Sequence, residues 1–250
     1  MDNSFVPKSE HQLPQLPIKR STNIFTDIYQ YFIHRPERKT LIKFNSEEDR
    51  HLYSESIMQR VGVEVDQYKL LNIHGIGIEV PASLLFEELL KWNGDSICWP
   101  NHIAHVNLHD GKLEKIIISL FGKSKERPEH WTRFLPFHFP QLFILEAIRI
   151  QETPSPIDTD NARYLLYKCS GGYPIGVFSM YVRTSIPERG ESAMSRLFIM
   201  VSFNFYGKKA FSKINLINKV WEGIHNRVTA NVANRFKILC EWKFEHFKEA

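Results

Sequence analysis

The strongest indication of the fold class lies in the stretch Trp221–Glu241 (WEGIHNRVTANVANRFKILCE). It lies in a segment from Ile214 to Phe247 that contains no proline and, after Gly223, no glycine. Apolar residues recur in steps of three and four, at Ile217, Trp221, Ile224, Val228, Val232, Phe236 and Leu239. These steps place side chains on one face of a helix, so the pattern predicts one long amphipathic helix over 214–247.

Upstream of this helix, short β-like runs alternate with turn signals. Strands are predicted at 68–80, 103–108, 113–121, 143–151, 162–170, 175–185 and 196–206, with a helix at 83–92. Turns such as Asp110-Gly111 indicate hairpins, and strands joined by hairpins form an antiparallel sheet. The long helix must bury its apolar stripe, and this sheet is the large partner available. We therefore predict an α+β fold, in which a curved antiparallel sheet of about seven strands grips the C-terminal helix.

Residues 1–67 follow a different pattern from the rest of the chain. Residues 1–23 are rich in proline and polar residues and show no periodicity, which is typical of a tail. A short helix is predicted over 47–60, with Ser46 as its N-cap and acidic residues in its first turn. The predicted organisation is an N-terminal tail and partly helical extension over 1–67, followed by one domain over 68–250.

The composition is that of an ordinary globular protein, with 250 residues of which 43% are hydrophobic and 24% charged. The formal net charge is +4, and the basic residues are dispersed, which argues against nucleic-acid binding. The three cysteines (Cys98, Cys169 and Cys240) form no CxxC pair, which favours a reducing compartment and no structural zinc. The first residues form no signal peptide and no apolar run spans a membrane, so a cytoplasmic location is predicted.

The order of these elements resembles the START/SRPBCC (helix-grip, pollen-allergen-like) superfamily over about residues 68–247. The first strand runs into Val80-Pro81-Ala82 and a helix, Trp99-Pro100 precedes the next hairpin, and Trp221–Glu241 is similar to the closing helix of bacterial members. The resemblance implies a cavity between the sheet and the C-terminal helix that holds an apolar ligand.

Alternation along the strands predicts which residues face that helix. Leu197, Ile199, Val201 and Phe203 share one face, and Phe178, Met180 and Val182 lie opposite Ser179 and Tyr181. The candidate ligand-binding residues are Arg149, Tyr167, Phe178, Met180, Val201, Phe203, Trp221, His225 and Val228. Apolar walls with few polar groups describe a ligand pocket, but they also describe a filled core. The sequence leaves both interpretations open.

Several residues are candidates for chemistry. His225 at a cavity wall would act as a base or orient a ligand carbonyl, or it is simply a packed helix histidine. Arg149 interrupts an apolar strand and contacts a ligand only if it points inward. His102, His105 and His109 have a spacing that binds zinc on a helix, but the surrounding residues indicate a strand, so no metal site is predicted.

The aromatic segment 130–143 has three interpretations: a lid over the cavity, a transient contact with a membrane surface, or a packed crossover. The GxSxG, HExxH and P-loop motifs are absent, so no catalytic residue and no cofactor is predicted.

Three functions therefore compete: binding or transport of a hydrophobic small molecule or lipid, a cyclase/dehydratase-type enzyme on the same scaffold, and an interaction protein with a filled core. The absence of catalytic motifs favours a non-enzymatic role. The ligand and the oligomeric state are not specified by the sequence.

Overall fold

A computed structural model describes residues 15–60, 70–91, 97–109, 112–118, 144–151, 163–170, 175–185, 192–203 and 215–247 of the chain. The helices are α1 (Ile24–Asp27), which continues as a π-helix (Ile28–Ile33), α2 (Glu47–Arg60), α3 (Ala82–Lys91) and the C-terminal helix α4 (Asn215–His246). The strands are β1 (Leu70–Ile78), β2 (Ala104–His109), β3 (Lys112–Ile118), β4 (Ile144–Gln151), β5 (Arg163–Ser170), β6 (Ile175–Thr184) and β7 (Ser195–Phe203).

These strands form one antiparallel sheet in the spatial order β1-β7-β6-β5-β4-β3-β2. From β2 to β7 each strand pairs with the next along the chain, and β1 is added beside β7. The predicted α+β class, with an antiparallel sheet and a long C-terminal helix, is confirmed. Within the sheet, the structure describes the side chains of residues 72–78, 178–184 and 195–202 and those of Leu165 and Tyr167.

The two glycines of β1 are explained by close approach of neighbouring side chains. A Cβ atom on Gly77 would lie 2.8 Å from the Cβ atom of Ala193, which is closer than such atoms can come. A Cβ atom on Gly75 would lie 3.3 Å from Ile42 Cδ1 and 3.4 Å from the ring of Phe198. Gly75-Ile76-Gly77 therefore serves packing at the sheet edge.

The C-terminal helix is enclosed on more than one side at its middle. Residues 229–234 are all buried, which a single apolar stripe does not produce. Val232 and Phe236 belong to the core shared with the sheet. On another side Asn231 Nδ2 donates to the carbonyl oxygens of Tyr31 (2.9 Å) and His34 (3.0 Å). The predicted one-sided stripe is corrected accordingly.

Ile224 also departs from that stripe, because its side chain is exposed. It precedes the enclosed part of the helix.

Asn234 adds to the contact between the C-terminal helix and the segment 31–38. Its Oδ1 accepts from Arg38 N (3.1 Å) and its Nδ2 donates to Arg38 O (3.0 Å). Polar helix residues thus satisfy the backbone of an irregular segment, which sequence periodicity does not reveal.

The N-terminal extension packs on the rest of the chain at two places. Residues 31–38 cover the C-terminal helix, and residues 40–42 pair with the edge of β1 through Ile42 N→Ile73 O (2.9 Å) and Gly75 N→Thr40 O (2.8 Å). The predicted cap of α2 is confirmed, since Ser46 Oγ accepts from Asp49 N at 3.0 Å. The division of the chain at residues 67 and 68 stays a prediction.

No helix among the described residues is long and apolar enough to cross a membrane. The cytoplasmic location stays a prediction. The aromatic segment 130–143 and the Asp110-Gly111 turn lie outside the described residues.

Candidate functional site

The face of the sheet that meets the C-terminal helix is defined by strand register. Directly paired residues share a face, and two rows of such residues cross four strands. One row is Asn72, Val201, Phe178 and Tyr167, and the next is His74, Ile199, Met180 and Leu165. We call this the inner face. Its apolar members belong to one buried cluster with Val232 and Phe236 of the C-terminal helix.

Tyr167 contributes a hydroxyl to a part of the inner face that is otherwise apolar. Its side chain is fully buried, and its ring centroid lies 5.6 Å from that of Phe178. Its hydroxyl has no hydrogen-bond partner among the described residues. Burial raises the pKa of the phenol well above its usual range, so the group is a neutral donor.

The C-terminal helix contributes the other predicted residues. Trp221 and Val228 are partly buried and pack against the cluster. His225 lies edge-on to Trp221, with ring centroids 4.6 Å apart. Protein atoms surround the imidazole although part of the residue is accessible, and this burial lowers its pKa to about 4. His225 is therefore neutral at neutral pH.

The structure thus brings together most of the predicted set. Phe203 continues the alternation of Val201 along β7, but its side chain lies outside the described part. Arg149 pairs with Leu166 of β5, after a register shift between Ala147 and Arg149. Its side chain also lies outside the described part, so its contact with a ligand stays a prediction.

A polar network at the β1 end of the inner face was not predicted. Asn72 and His74 lie two residues apart on β1, and both reach Asn226 of the C-terminal helix. Asn226 Oδ1 accepts from Asn72 Nδ2 at 3.0 Å and lies 3.1 Å from His74 Nε2. The network ends at Thr40 Oγ1, 2.9 Å from His74 Nδ1, and at Arg50 Nη2, which donates to Asn72 Oδ1 at 2.9 Å.

The hydrogen bonds of this network fix the tautomer of His74. Because Asn226 Oδ1 can only accept, His74 Nε2 carries the proton and Nδ1 accepts from Thr40. Burial lowers the pKa of His74 to about 4, while the bond to Asn226 acts against that shift. The imidazole is therefore neutral, and both of its nitrogens are satisfied. A network paired in this way fastens the extension, β1 and the helix together.

Two clefts border the described residues away from Tyr167. The larger, of about 430 Å³, is open to solvent between residues 42–50 and the start of β1. The smaller, of about 190 Å³, lies between the π-helix region and residues 231–238 of the C-terminal helix.

His102 has a partner that explains its position without a metal. Asp27 Oδ2 accepts from His102 N at 2.7 Å and lies 2.6 Å from His102 Nδ1. Within the described ranges, no group of three or more His, Cys, Asp or Glu residues could hold a metal ion. For His105 and His109 the structure describes the backbone only, so their part in a site stays untested.

No family model and no curated protein sequence matches the chain. Similar solved structures include the human StarD13 (DLC2) lipid transfer and protein localization domain, at 9% identity and TM-score 0.35, covering 67% of this chain and 75% of that one. The ZhuI aromatase/cyclase from Streptomyces sp. R1128 has 12% identity and TM-score 0.40, with coverage of 70% and 94%. Ara h 8.0201 has 11% identity and TM-score 0.32, with coverage of 66% and 97%.

Proposed function

We propose that this protein binds or carries a hydrophobic small molecule or lipid between the inner face and the C-terminal helix. The proposal takes the sheet, of about seven strands, to curve around the helix and to leave room beside Tyr167. The observation that carries it is the Tyr167 hydroxyl, fully buried and without a hydrogen-bond partner among the described residues. Leaving such a group unpaired costs about 1–3 kcal/mol. A polar atom of a ligand would remove that cost.

The surroundings of Tyr167 suit an apolar ligand. The apolar wall of the site consists of Phe178, Met180 and Val201. Affinity would therefore come mainly from burial of apolar ligand surface, at about 25 cal/mol per Å² before the costs of association. The single hydroxyl would orient the ligand. Trp221 and Val228 would close the site from the helix side.

The state of His225 supports binding more than proton-transfer chemistry. A cyclase or dehydratase needs a base whose pKa lies near the working pH. With its pKa lowered to about 4, His225 is a weak base at neutral pH. The enzymatic alternative would therefore require another group.

An interaction protein with a filled core is the second candidate. The close contact of Tyr167 with Phe178 is what such a core would show. In that case an internal water would satisfy the Tyr167 hydroxyl.

Native mass spectrometry of the purified full chain, followed by solvent extraction, separates these candidates. We expect a discrete apolar molecule to accompany the wild type. Val228→Trp adds bulk at the helix side of the site and should abolish that adduct. Val220→Trp is the matched control, because Val220 lies on the same helix with 56% of its side chain exposed, and it should retain the adduct.

Equal retention of the adduct by both variants, each shown to be folded by circular dichroism, would contradict the proposed site. A wild-type protein that carries no adduct and takes up no fluorescent fatty acid would favour the filled core. Conversion of the extracted molecule by the protein would favour the enzyme.

A further inference from the structure

The segment Ile24–Ile33, formed by α1 and the π-helix, presents apolar side chains to solvent and a carboxylate to the interior. Phe25, Tyr29 and Ile33 follow one another at intervals of four, with 78%, 58% and 62% of their surface exposed. Asp27 and Tyr31, between them on the opposite side, are fully buried. An exposed apolar row opposite a buried carboxylate departs from the usual arrangement of a surface helix.

Contacts on the buried side fix this orientation. Asp27 is held by the backbone and the ring of His102. Tyr31 belongs to the buried cluster. The guanidinium carbon of Arg235 lies 5.4 Å from the centroid of the Tyr31 ring. Rotation of the segment to hide Phe25 would break these interactions. The outward apolar row is therefore a fixed feature of the fold, and exposed apolar rows of this kind mark interaction sites.

Basic residues outnumber acidic ones in the sequence on both sides of the apolar row. Residues 19–43 contain six basic side chains, Lys19, Arg20, Arg35, Arg38, Lys39 and Lys43, against two acidic ones, Asp27 and Glu37. Asp27 is buried, so Glu37 is the exposed acid of this stretch. Arg227 of the C-terminal helix adds a further cation, since it is exposed and its Nη1 donates to the His34 carbonyl oxygen at 3.4 Å.

We propose that Ile24–Ile33 docks on the surface of an anionic lipid bilayer. Phe25, Tyr29 and Ile33 would enter the boundary between headgroups and acyl chains, and the flanking cations would meet the headgroups. A second copy of this surface fits less well, because it would bring like charges together. The inference does not depend on a ligand beside Tyr167.

Vesicle sedimentation of the full chain tests the apolar row. We expect binding to phosphatidylcholine vesicles that contain phosphatidylserine, and weaker binding to phosphatidylcholine alone. The double variant Phe25→Ser with Ile33→Ser should bind at least about tenfold more weakly, through the lost apolar contact. Leu52→Ser with Phe247→Ser is the matched control, since those residues are 58% and 48% exposed outside the segment, and it should bind as the wild type does.

A second pair of variants tests the charges. Arg35→Gln with Lys39→Gln should weaken binding roughly thirtyfold, because each cation near an anionic surface contributes about 1 kcal/mol. Lys91→Gln with Lys219→Gln removes two exposed cations elsewhere and should have little effect. Raising the salt concentration should reduce the difference between the two pairs.

Binding of the Phe25→Ser, Ile33→Ser variant equal to that of the wild type would overturn the proposal. Absence of vesicle binding by the wild type would also overturn it. If the wild type then forms a dimer in analytical ultracentrifugation and this variant is a monomer, the surface binds a second copy of the chain. The ligand adduct in native mass spectrometry is measured without vesicles, so failure of the proposed function is a separate result.

Discussion

Two buried polar sites on the inner face differ in how their hydrogen bonds are met. Asn72 and Tyr167 lie in the same cross-strand row, three strands apart. At Asn72 the side chain donates to Asn226 and accepts from Arg50. At Tyr167 the hydroxyl has no partner within the described part of the chain. The same sheet–helix interface therefore contains one paired polar site and one unpaired one.

This contrast separates two uses of a buried polar group. A paired network stabilises a particular arrangement, because loss of one member leaves the others buried and unsatisfied. An unpaired hydroxyl lowers stability in the ligand-free protein and offers a hydrogen bond to whatever enters. The network at β1 thus fastens the fold, and under the proposed function the hydroxyl of Tyr167 binds the ligand.

Asn226→Leu should produce the largest effect on stability. It leaves the donors on Asn72 and His74 without their acceptor, and two such losses cost about 4 kcal/mol together. Urea unfolding should show this as a lower midpoint with an unchanged slope.

Asn226→Asp is the matched control, because it keeps an acceptor oxygen at the same position. It should lose clearly less stability than Asn226→Leu. If the two variants unfold at the same midpoint, the network does not fasten the helix to β1.

The elements of the fold were more accessible to sequence reasoning than the contacts between them. The C-terminal helix was predicted over 214–247 and spans Asn215–His246, because helical periodicity is a local property. The π-helix was not predicted, since Ile28–Ile33 (IYQYFI) is apolar at nearly every position and shows no clear period. Packing against the rest of the chain determines which side chains of the π-helix are exposed and which are buried.

In the candidate site, too, the residues were more predictable from the sequence than the contacts between them. Alternation predicted that Tyr167, Phe178, Met180 and Val201 share one face. The strand register pairs Tyr167 with Phe178 and Phe178 with Val201, while the ligand contacts of these residues stay a prediction. The network was missed, although Asn72 and His74 continue the two-residue spacing of Ile76 and Ile78 and so signalled polar groups on a buried face. Their acceptor on the helix, Asn226, is 154 residues from Asn72, and only the folded chain brings them together.

The pH dependence of stability should show the next largest effect, through His74. Its pKa is lowered from 6.5 to about 4 in the folded chain, so between these values the unfolded chain takes up a proton that the folded chain does not. Stability should therefore be full above pH 6.5 and fall by about 3 kcal/mol as the pH decreases to about 4.

Urea midpoints of the wild type and of His74→Gln across this range isolate that contribution. His225 titrates in the same direction in both proteins, so the difference between the two curves belongs to His74. Parallel curves would show that His74 is not held neutral by the fold, and the fastening role of the network would lose its support.

Tyr167→Phe should cost no stability but should weaken ligand retention. The hydroxyl has no partner to lose among the described residues, and leaving it buried and unpaired costs about 1–3 kcal/mol, so the free energy of unfolding of the ligand-free variant should equal or exceed that of the wild type. Tyr31→Phe is the matched control, because Tyr31 is equally buried but hydrogen-bonds to Arg235, and its loss should cost about 1 kcal/mol. In native mass spectrometry Tyr167→Phe should lose the adduct at lower collision energy, while Tyr31→Phe should retain it. A stability loss at Tyr167 as large as that at Tyr31, with an unchanged adduct, would mean that the Tyr167 hydroxyl is paired within the fold and does not face a ligand.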